Sequence, residues 1–544
     1  MEEVHMRNFR CKHLFKSLQH VNVFVLVLTA AILIWQNQIL AADDEWKCPK
    51  IGGIIKHQDM NWAHIDSGAR ATPDWVVKYI YDGLIDVTWD LKYRPGLAKE
   101  MPKKVSDTIF EFELRQGVKF HDGTEFNADA VKFAMDRLIA GGDQLTAPSQ
   151  HTGVWRKNLE KLEVLGPYKI RMQLKRPWPD LMWNLASAFF IPSPTAVKKY
   201  GKEFGTKGII GTGPFVLKMF KPKERLEVVR NPDYFRPNEP CVDEIHAIQI
   251  SSGSVRLLSL RRGELTNLFT FPESQMPLIE NDPNIKIYEG EASTLTVLTV
   301  NTSLDKLRDK KVRRALQYSV DGQEIIDRVY RGRGAMVTGL FPPWHPAYRE
   351  ATKDELALIR QDVEQARQLL KEAGYGPGNP LKLDLQTFAA PAHVERSVVL
   401  QNQFKSVGIE VSVRNLPAGT VLENLFAGKY DLVLYQYTGG PTVGTYTWDL
   451  YAGDSTANPT FYNKENGYEN PTVDKVMNEV IGKMEVADAA ELAASIQKQV
   501  FEDAPYIFLN WRNHREAWNP KLIKNHHVSF LKNRQDWRRV WIDK

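Results

Sequence analysis

The stretch that decides the fold is Ile210 to Ile250, IGTGPFVLKMFKPKERLEVVRNPDYFRPNEPCVDEIHAIQI, which reads as three short strands with explicit punctuation. Gly211, Gly213 and Pro214 make a turn ahead of the apolar run Phe215 to Phe220. Lys221-Pro222-Lys223 reverses the chain into Leu226 to Val229, and Asn231-Pro232-Asp233 ends that strand before a third begins at Val242. A meander of this kind needs a cover over its second face. The residues before it read as a different unit and those after it turn helical, so the cover must come from far away in the chain. The expectation is a central lobe that the chain leaves twice and re-enters twice. Gly211-Thr212-Gly213 is read as a tight turn and not as a phosphate cradle, because Pro214 removes a backbone donor and a strand follows.

The rest of the composition allows several such units. A chain of 544 residues with 43% hydrophobic content carries a soft prior of roughly two to four domains. The net charge of +5 is spread over 71 basic and 66 acidic residues, which argues against a nucleic-acid partner and its concentrated basic face. The 14 tryptophans and 19 tyrosines serve both cores and ligand pockets.

Residues 1–42 are expected to be a signal peptide. Arg7, Arg10, Lys12 and Lys16 precede an apolar run from Val21 to Trp35, which Gln36-Asn37-Gln38 interrupts too soon for a membrane span. Ala41-Ala42 then offers small residues before Asp43-Asp44-Glu45. An uncleaved anchor is the alternative, since Leu40 or Ile39 is bulky at the minus-three position. The reading favoured is an exported, soluble protein. Cysteine usage fits that compartment: Cys11 lies in the targeting segment, which leaves Cys48 and Cys241 ahead of strands expected near Ile51 and Val242. A Cys48 to Cys241 disulfide is expected, with a nominal gain of about 5 kcal/mol in the chain-entropy account.

Along the chain, Trp75 to Leu84 reads as a helix, and Ile109 to Leu114 alternates as a strand with Phe110, Phe112 and Leu114 on one side. Asn127 caps a helix whose Val131, Ala134, Met135 and Leu138 share a face. Pro177-Trp178-Pro179 opens a helix or bend through Trp183, and Leu295 to Val300 is a strand. Helices then dominate: one at Val312 to Ser319 stopped by Asp321-Gly322, another at Ile325 to Val329, and one capped by Asp362 that Gly374 ends. Strands are expected at Ile409 to Val413, Tyr430 to Tyr437 and Pro505 to Trp511. His121-Asp122 is read as a turn and not a metal pair, because adjacent side chains do not converge on one ion without further ligands. A secreted hydrolase is disfavoured, since neither Gly-x-Ser-x-Gly nor His-Glu-x-x-His occurs.

Several ordered blocks resemble the large extracytoplasmic solute-binding proteins of ABC importers, family 5, in the peptide, nickel and opine group. They are LRQGVKFHDGTEFNADAVKFAMDRL from Leu114, PSPTAVKKYG from Pro192, GTGPF from Gly211, RNPDYFRPNEPCVDEI from Arg230, NTSLDKLRDKKVRRALQYSVDGQEII from Asn301 and DVEQARQLLKEAGY from Asp362. The resemblance implies an α/β, periplasmic-binding-protein-like fold (type II, cluster C) with mixed sheets, three domains and two lobes. A discontinuous central domain would comprise 46–85, 210–300 and 504–544, a small second domain 86–209, and a large α/β lobe 301–503. The implied function is that of a periplasmic receptor that binds a solute between lobes and presents it to ABC importer permease subunits. No catalytic residue, no cofactor and no metal site is expected, and the protein is expected to be a monomer without nucleic-acid partners. The solute would be a peptide, an oligosaccharide or an opine-like compound; a periplasmic chaperone-like binder is a further alternative.

Peptide-binding members resembling this chain place an aspartate after the strand corresponding to Tyr430 to Tyr437. Here the aligned position falls near Gly440, and Asp449 lies later. Losing that anion removes a charge-assisted contact of about 1.5 to 3 kcal/mol. Candidate ligand-binding residues are Tyr435, Tyr437, Thr438, Tyr446 and Trp448 around the Gly-rich loop, Trp62, His64 and Asp66 in the first loop, and Asn510, Trp511 and Arg512 at the end of the final strand. For the aromatics, the competing reading is that they pack the lobe's own core or hinge.

Overall fold

The computed structural model describes residues 46–58, 63–69, 74–146, 150–269, 271, 273–438, 440, 442–443, 450–451, 458–460, 470–480, 482–483, 486–529 and 536–543. The expected signal peptide lies outside the described residues. In chain order, β1 (Ile54–Gln58) is followed by a hairpin of β2 (Ile85–Val87) and β3 (Tyr93–Pro95). β4 (Lys103–Ser106), β5 (Ile109–Glu113), β6 (Leu159–Gly166) and β7 (Lys169–Leu174) form a four-stranded antiparallel sheet in the order β4-β5-β7-β6. Next come β8 (Phe215–Lys221), β9 (Arg225–Arg230), β10 (Glu244–Ile248), β11 (Asn267–Leu268) and β12 (Lys286–Val300). β13 (Lys382–Phe388), β14 (Glu410–Leu416), β15 (Leu432–Thr438) and β16 (Tyr506–Trp518) follow, before a last pair, β17 (Ile523–Lys524) and β18 (Trp541–Ile542).

Ten of these strands make one sheet in the order β14-β13-β15-β12-β16-β11-β1-β10-β9-β8. The meander β8-β9-β10 is antiparallel throughout, and β1 runs parallel to β10 with Ile54 opposite Glu244. A parallel pair cannot be closed by a tight turn, so its two members come from distant sequence. The register also sets the beginnings of β1 and β10 side by side. Cys48 and Cys241, a few residues ahead of each, are therefore neighbours and form a disulfide, with Cα atoms 5.4 Å apart across 193 residues of sequence.

The antiparallel four-stranded sheet is covered by the helix Ala128–Ala140. Asn127 caps it by accepting from the Ala130 amide, and Val131, Ala134, Met135 and Leu138 are buried against Phe110, Phe112, Ile170 and Met172. Each such side chain contributes about 1.5 to 3 kcal/mol when fully buried. In the part from residue 301 to 503, β13 runs parallel to both β14 and β15, and their apolar side chains meet Val312, Leu316, Leu400 and Phe404 of the surrounding helices.

β12 and β16 join these halves. β12 pairs with β16 from Lys286 to Thr299, and from Thr294 to Val300 it also pairs with β15. Leu298, Val300, Ile507 and Leu509 pack into the same core as the 301–503 helices, whereas Trp518 packs with Ile55, Ile245 and Trp537. Both strands are longer than their apolar runs suggest. Beyond Trp511 the sequence NHREAW stays in the ladder because its polar groups find partners: Arg515 pairs with Glu273 at 2.7 Å and with Glu289 at 2.9 Å. Arg512 is therefore a mid-strand residue and not the end of a strand.

Smaller departures have local causes. The helix expected to reach Leu84 stops at Ile80, whose carbonyl accepts from Gly213 while Gly83 bridges to Phe190. The helix expected from Pro177 begins at Leu181. Asp321 does not merely end one helix; its side chain caps the next, Gly322–Arg328, by accepting from the Gln323 and Glu324 amides.

Candidate functional site

Parallel strands that end side by side leave a crevice at their C-terminal edge, where ligands of α/β proteins bind. Here β13 and β15 end at Phe388 and Thr438. Two residues past β15 stands Gly440. A Cβ on it would lie 2.8 Å from the indole Nε1 of Trp183 and 3.0 Å from Cε2, so a glycine is required for this approach. Trp183 belongs to the helix Leu181–Ser187 in the core of the four-stranded sheet, so the contact joins the 86–209 and 301–503 parts. The same seam brings Trp344 against that core, Val154 against the core around Trp511, and Lys157 Nζ to within 3.2 Å of Asn478 Oδ1.

The central strands are irregular beside the seam. Thr296 pairs with Asn510 but Val297 with Phe508, so one residue of β16 is left over, and further shifts follow near Ala292. Bulges of this kind re-aim side chains next to sites. The Asn510 amide donates from Nδ2 to the Trp511 carbonyl at 3.0 Å, while Oδ1 is buried with no partner among the described residues. Trp511 is fully buried, and its Nε1 likewise has no partner among them. Nearby, the buried Arg396 donates to the Tyr330 hydroxyl at 2.8 Å and to the Ala392 carbonyl at 2.9 Å. Burial holds its pKa below the ordinary guanidinium value.

Residues 92–459 match the model of the bacterial extracellular solute-binding proteins, family 5. The chain belongs to that family. The glutathione-binding protein GsiB of Shigella flexneri is 29% identical over 441 residues, covering 79% of this chain and 83% of that protein. Two solved structures share its fold. One is the ABC transporter-associated periplasmic binding protein DppA from Helicobacter pylori in complex with the peptide STSA, with TM-score 0.82, 22% identity, and 91% of this chain and 99% of that one covered. The other is the oligopeptide-binding protein AppA from Bacillus subtilis in complex with a nonapeptide, with TM-score 0.81, 21% identity, and 91% and 100% covered. The family and these neighbours are binding proteins. Among the described residues of this family 5 chain, no helix is long and apolar enough to cross a membrane.

The residues singled out from sequence fall into distinct places in this solute-binding protein. Tyr435 and Tyr437 are half-buried on β15 with rings 4.8 Å apart, and Tyr437 also meets Tyr506 edge-on at 5.7 Å and the Thr299 hydroxyl at 3.2 Å. Thr438 is exposed, its Oγ1 3.0 Å from that of Thr294. Trp62, Tyr446, Trp448 and Asp449 lie outside the described residues. His64 is half-buried, and burial pushes its pKa down against the pull of Asp66. Arg512 is paired with Glu273 at 3.1 Å; burial opposes its charge, but Glu273 raises its pKa overall.

Asp66 is committed within the protein. Its carboxylate accepts five hydrogen bonds: two from Arg137 at 2.8 and 2.6 Å, two from the Thr146 amide and hydroxyl, and one from the Gly68 amide. Burial would raise its pKa, and these donors outweigh burial and hold it below the usual carboxylate value. It ties the first loop to the helix Ala128–Ala140. Sequence reasoning had no signal for Arg396, one charge on an otherwise ordinary helix. The sequence places Trp183 in a helix or bend opened by Pro177-Trp178-Pro179, with no local pattern that marks its contact with Gly440.

Glu227, Glu244 and His246 come within 4.8 Å of one another on adjacent strands. Lys218 sits 2.8 Å from Glu244, and Arg225 sits 2.5 Å from Glu227, so these carboxylates already have cations.

Proposed function

We propose that this chain captures a small, peptide-like solute in the seam at Gly440, Trp183 and the bulged part of β16, closes over it by hinge motion about β12 and β16, and hands it to the permease of an ABC import system in the periplasm. The observation that carries this reading is the pair of buried polar atoms with no partner among the described residues, Asn510 Oδ1 and Trp511 Nε1, on a strand shared by both halves. Buried polar groups are nearly always paired, and leaving one unpaired costs about 1 to 3 kcal/mol. Groups placed this way at a seam suit an incoming amide, which brings both a donor and an acceptor. The relatives bind glutathione and peptides, which supports the same class here.

The division that goes with this reading is a central domain of 46–85, 210–300 and 504–544, a small domain of 86–209, and a lobe of 301–503, with β12 and β16 shared. Residues 1–42 act as the export signal, and the solute leaves chemically unchanged. An opine-like or oligosaccharide ligand is a second reading. It is favoured by the glycine at 440, which offers no carboxylate to a ligand ammonium.

The test is a thermal-shift titration of the exported chain with glutathione and with peptides of graded length, followed by mass spectrometry of the recovered ligand. A peptide at 100 times its dissociation constant is expected to stabilise by about 2.7 kcal/mol and to be recovered intact. No shift with any peptide, or recovery as cleaved product, overturns the reading.

A further inference from the structure

A second groove shares no residue with the seam. The segment at Trp46, the β2-β3 hairpin and the residues Asn525, His527, Asp536 and Arg539 meet around a cavity of about 350 Å3 whose lining also includes Trp89, Asp90 and Tyr93. Pockets of this size and aromatic content are the usual form of small-molecule sites.

Trp89 is 41% exposed, an unusual position for an indole in a hairpin turn. One of its faces lies flat on His527, with ring centroids 4.6 Å apart and planes within 7° of parallel. His527 is in turn 3.1 Å from Asn525 Oδ1, and Asn525 Nδ2 donates to the Arg539 carbonyl. Asn525 takes a left-handed backbone with φ of 55°, and Leu91 in the hairpin turn takes one with φ of 64°. Such backbone is costly for residues with a Cβ and clusters at ligand sites. The platform is therefore fixed from beneath by His527 while much of Trp89 stays exposed.

The charges around the cavity are matched. Lys92 pairs with Asp90 at 2.9 Å, Arg94 with Asp86 at 2.9 Å and Asp536 at 3.2 Å, and Arg539 with Glu239 at 2.6 Å. An ionic ligand would have to displace one of these partners, so the chemistry selects against net charge. Hydrogen-bonding capacity remains: each carboxylate oxygen of Asp90 has one partner, Thr88 or Lys92, and keeps further lone pairs. A ligand that fits is neutral, has a flat face of C–H groups, and is edged with hydroxyls.

We propose that this groove is a second binding site, for a neutral saccharide whose ring lies on the face of Trp89 away from His527 and whose hydroxyls are held by Asp90 and Asn525. The experiment is saturation-transfer NMR and tryptophan fluorescence on the exported chain, with cellobiose and chitobiose as probes. Saturable binding of at least one disaccharide is expected, with saturation concentrated on its ring C–H protons. Trp89→Ala is expected to weaken it about tenfold, and Trp89→Phe to restore most of that loss, since a ring platform remains. Gly440→Ala, which alters only the seam, is expected to leave it unchanged. Trp89 is exposed, and unfolding curves of its variants show whether the fold is intact. The proposal is overturned if neither disaccharide saturates, if Trp89→Ala binds as well as the parent, or if a proline-rich peptide saturates the groove and both disaccharides do not.

Discussion

Two buried polar regions of this protein are treated in opposite ways. Beneath the β2-β3 hairpin, Asp86 accepts from Lys78 at 3.1 Å, Arg94 at 2.9 Å and Arg538 at 2.5 Å, and Asp536 accepts from the same two arginines. Burial would raise the pKa of Asp86, but Arg538, Lys78 and Arg94 hold it well below the carboxylate range. At the bulge of β16, Asn510 and Trp511 are no less buried, yet each keeps one polar atom without a partner among the described residues. The first arrangement is complete in itself and fixes the meeting of two distant segments, 78–94 and 536–538. The second is incomplete and suits a partner from outside. In these two regions the degree of burial is alike and the completeness of hydrogen bonding differs.

The largest expected effect that can break this contrast is on the scaffold side. Asp86→Ala leaves Lys78, Arg94 and Arg538 facing one another with one carboxylate fewer, and urea unfolding should show a loss of about 3 to 5 kcal/mol. A loss below about 1 kcal/mol would show that water reaches the network and that it is no scaffold.

A middle-sized effect comes from pH. Burial pushes His57 down to about 3, with its Nε2 2.9 Å from the Tyr79 hydroxyl. The unfolded chain takes up this proton below about pH 6.5 and the folded chain does not, so stability is whole above that pH and falls as the medium is acidified. Between pH 7 and 5 the share of the loss that belongs to His57 should be about 2 kcal/mol, and His57→Gln should remove that share, leaving the contribution of His345, which burial also pushes down, to about 4. The depressed Asp86 contributes its loss only below the unfolded carboxylate value near 4, so the two regimes separate along one titration. If His57→Gln left the slope between pH 7 and 5 intact, the buried-neutral assignment would fail.

The smallest stability effect belongs to the site side. Asn510→Ala removes an oxygen with no partner among the described residues together with one hydrogen bond, Nδ2 to the Trp511 carbonyl, so stability should change by about 1 kcal/mol, while affinity for the captured solute falls about tenfold. A stability loss as large as that of Asp86→Ala would place Asn510 in the scaffold and erase the distinction.

Much of this was legible in the residues. Gly, Pro and Asn at fixed offsets marked the meander, and Asn127 and Asp362 announced helix starts because capping is a local interaction. The two cysteines were read correctly because only two remained to pair once the targeting segment was set aside. The extent of β12 and β16 was not legible, because NHREAW looks like loop until Glu273 and Glu289 arrive from distant sequence. Asp66 looked like a ligand group for the same reason: its partner Arg137 is 71 residues away. The Gly440 to Trp183 contact depends on how two separately folded cores meet, which no local pattern encodes.

β12 and β16 each lend one end to either half of the ten-stranded sheet. In the closure proposed above, a swivel between halves bends this connecting ribbon like a leaf spring, two paired strands in place of a loose linker. No slack tether has to be frozen each time a guest is enclosed, because that disorder was already given up when the polypeptide first folded.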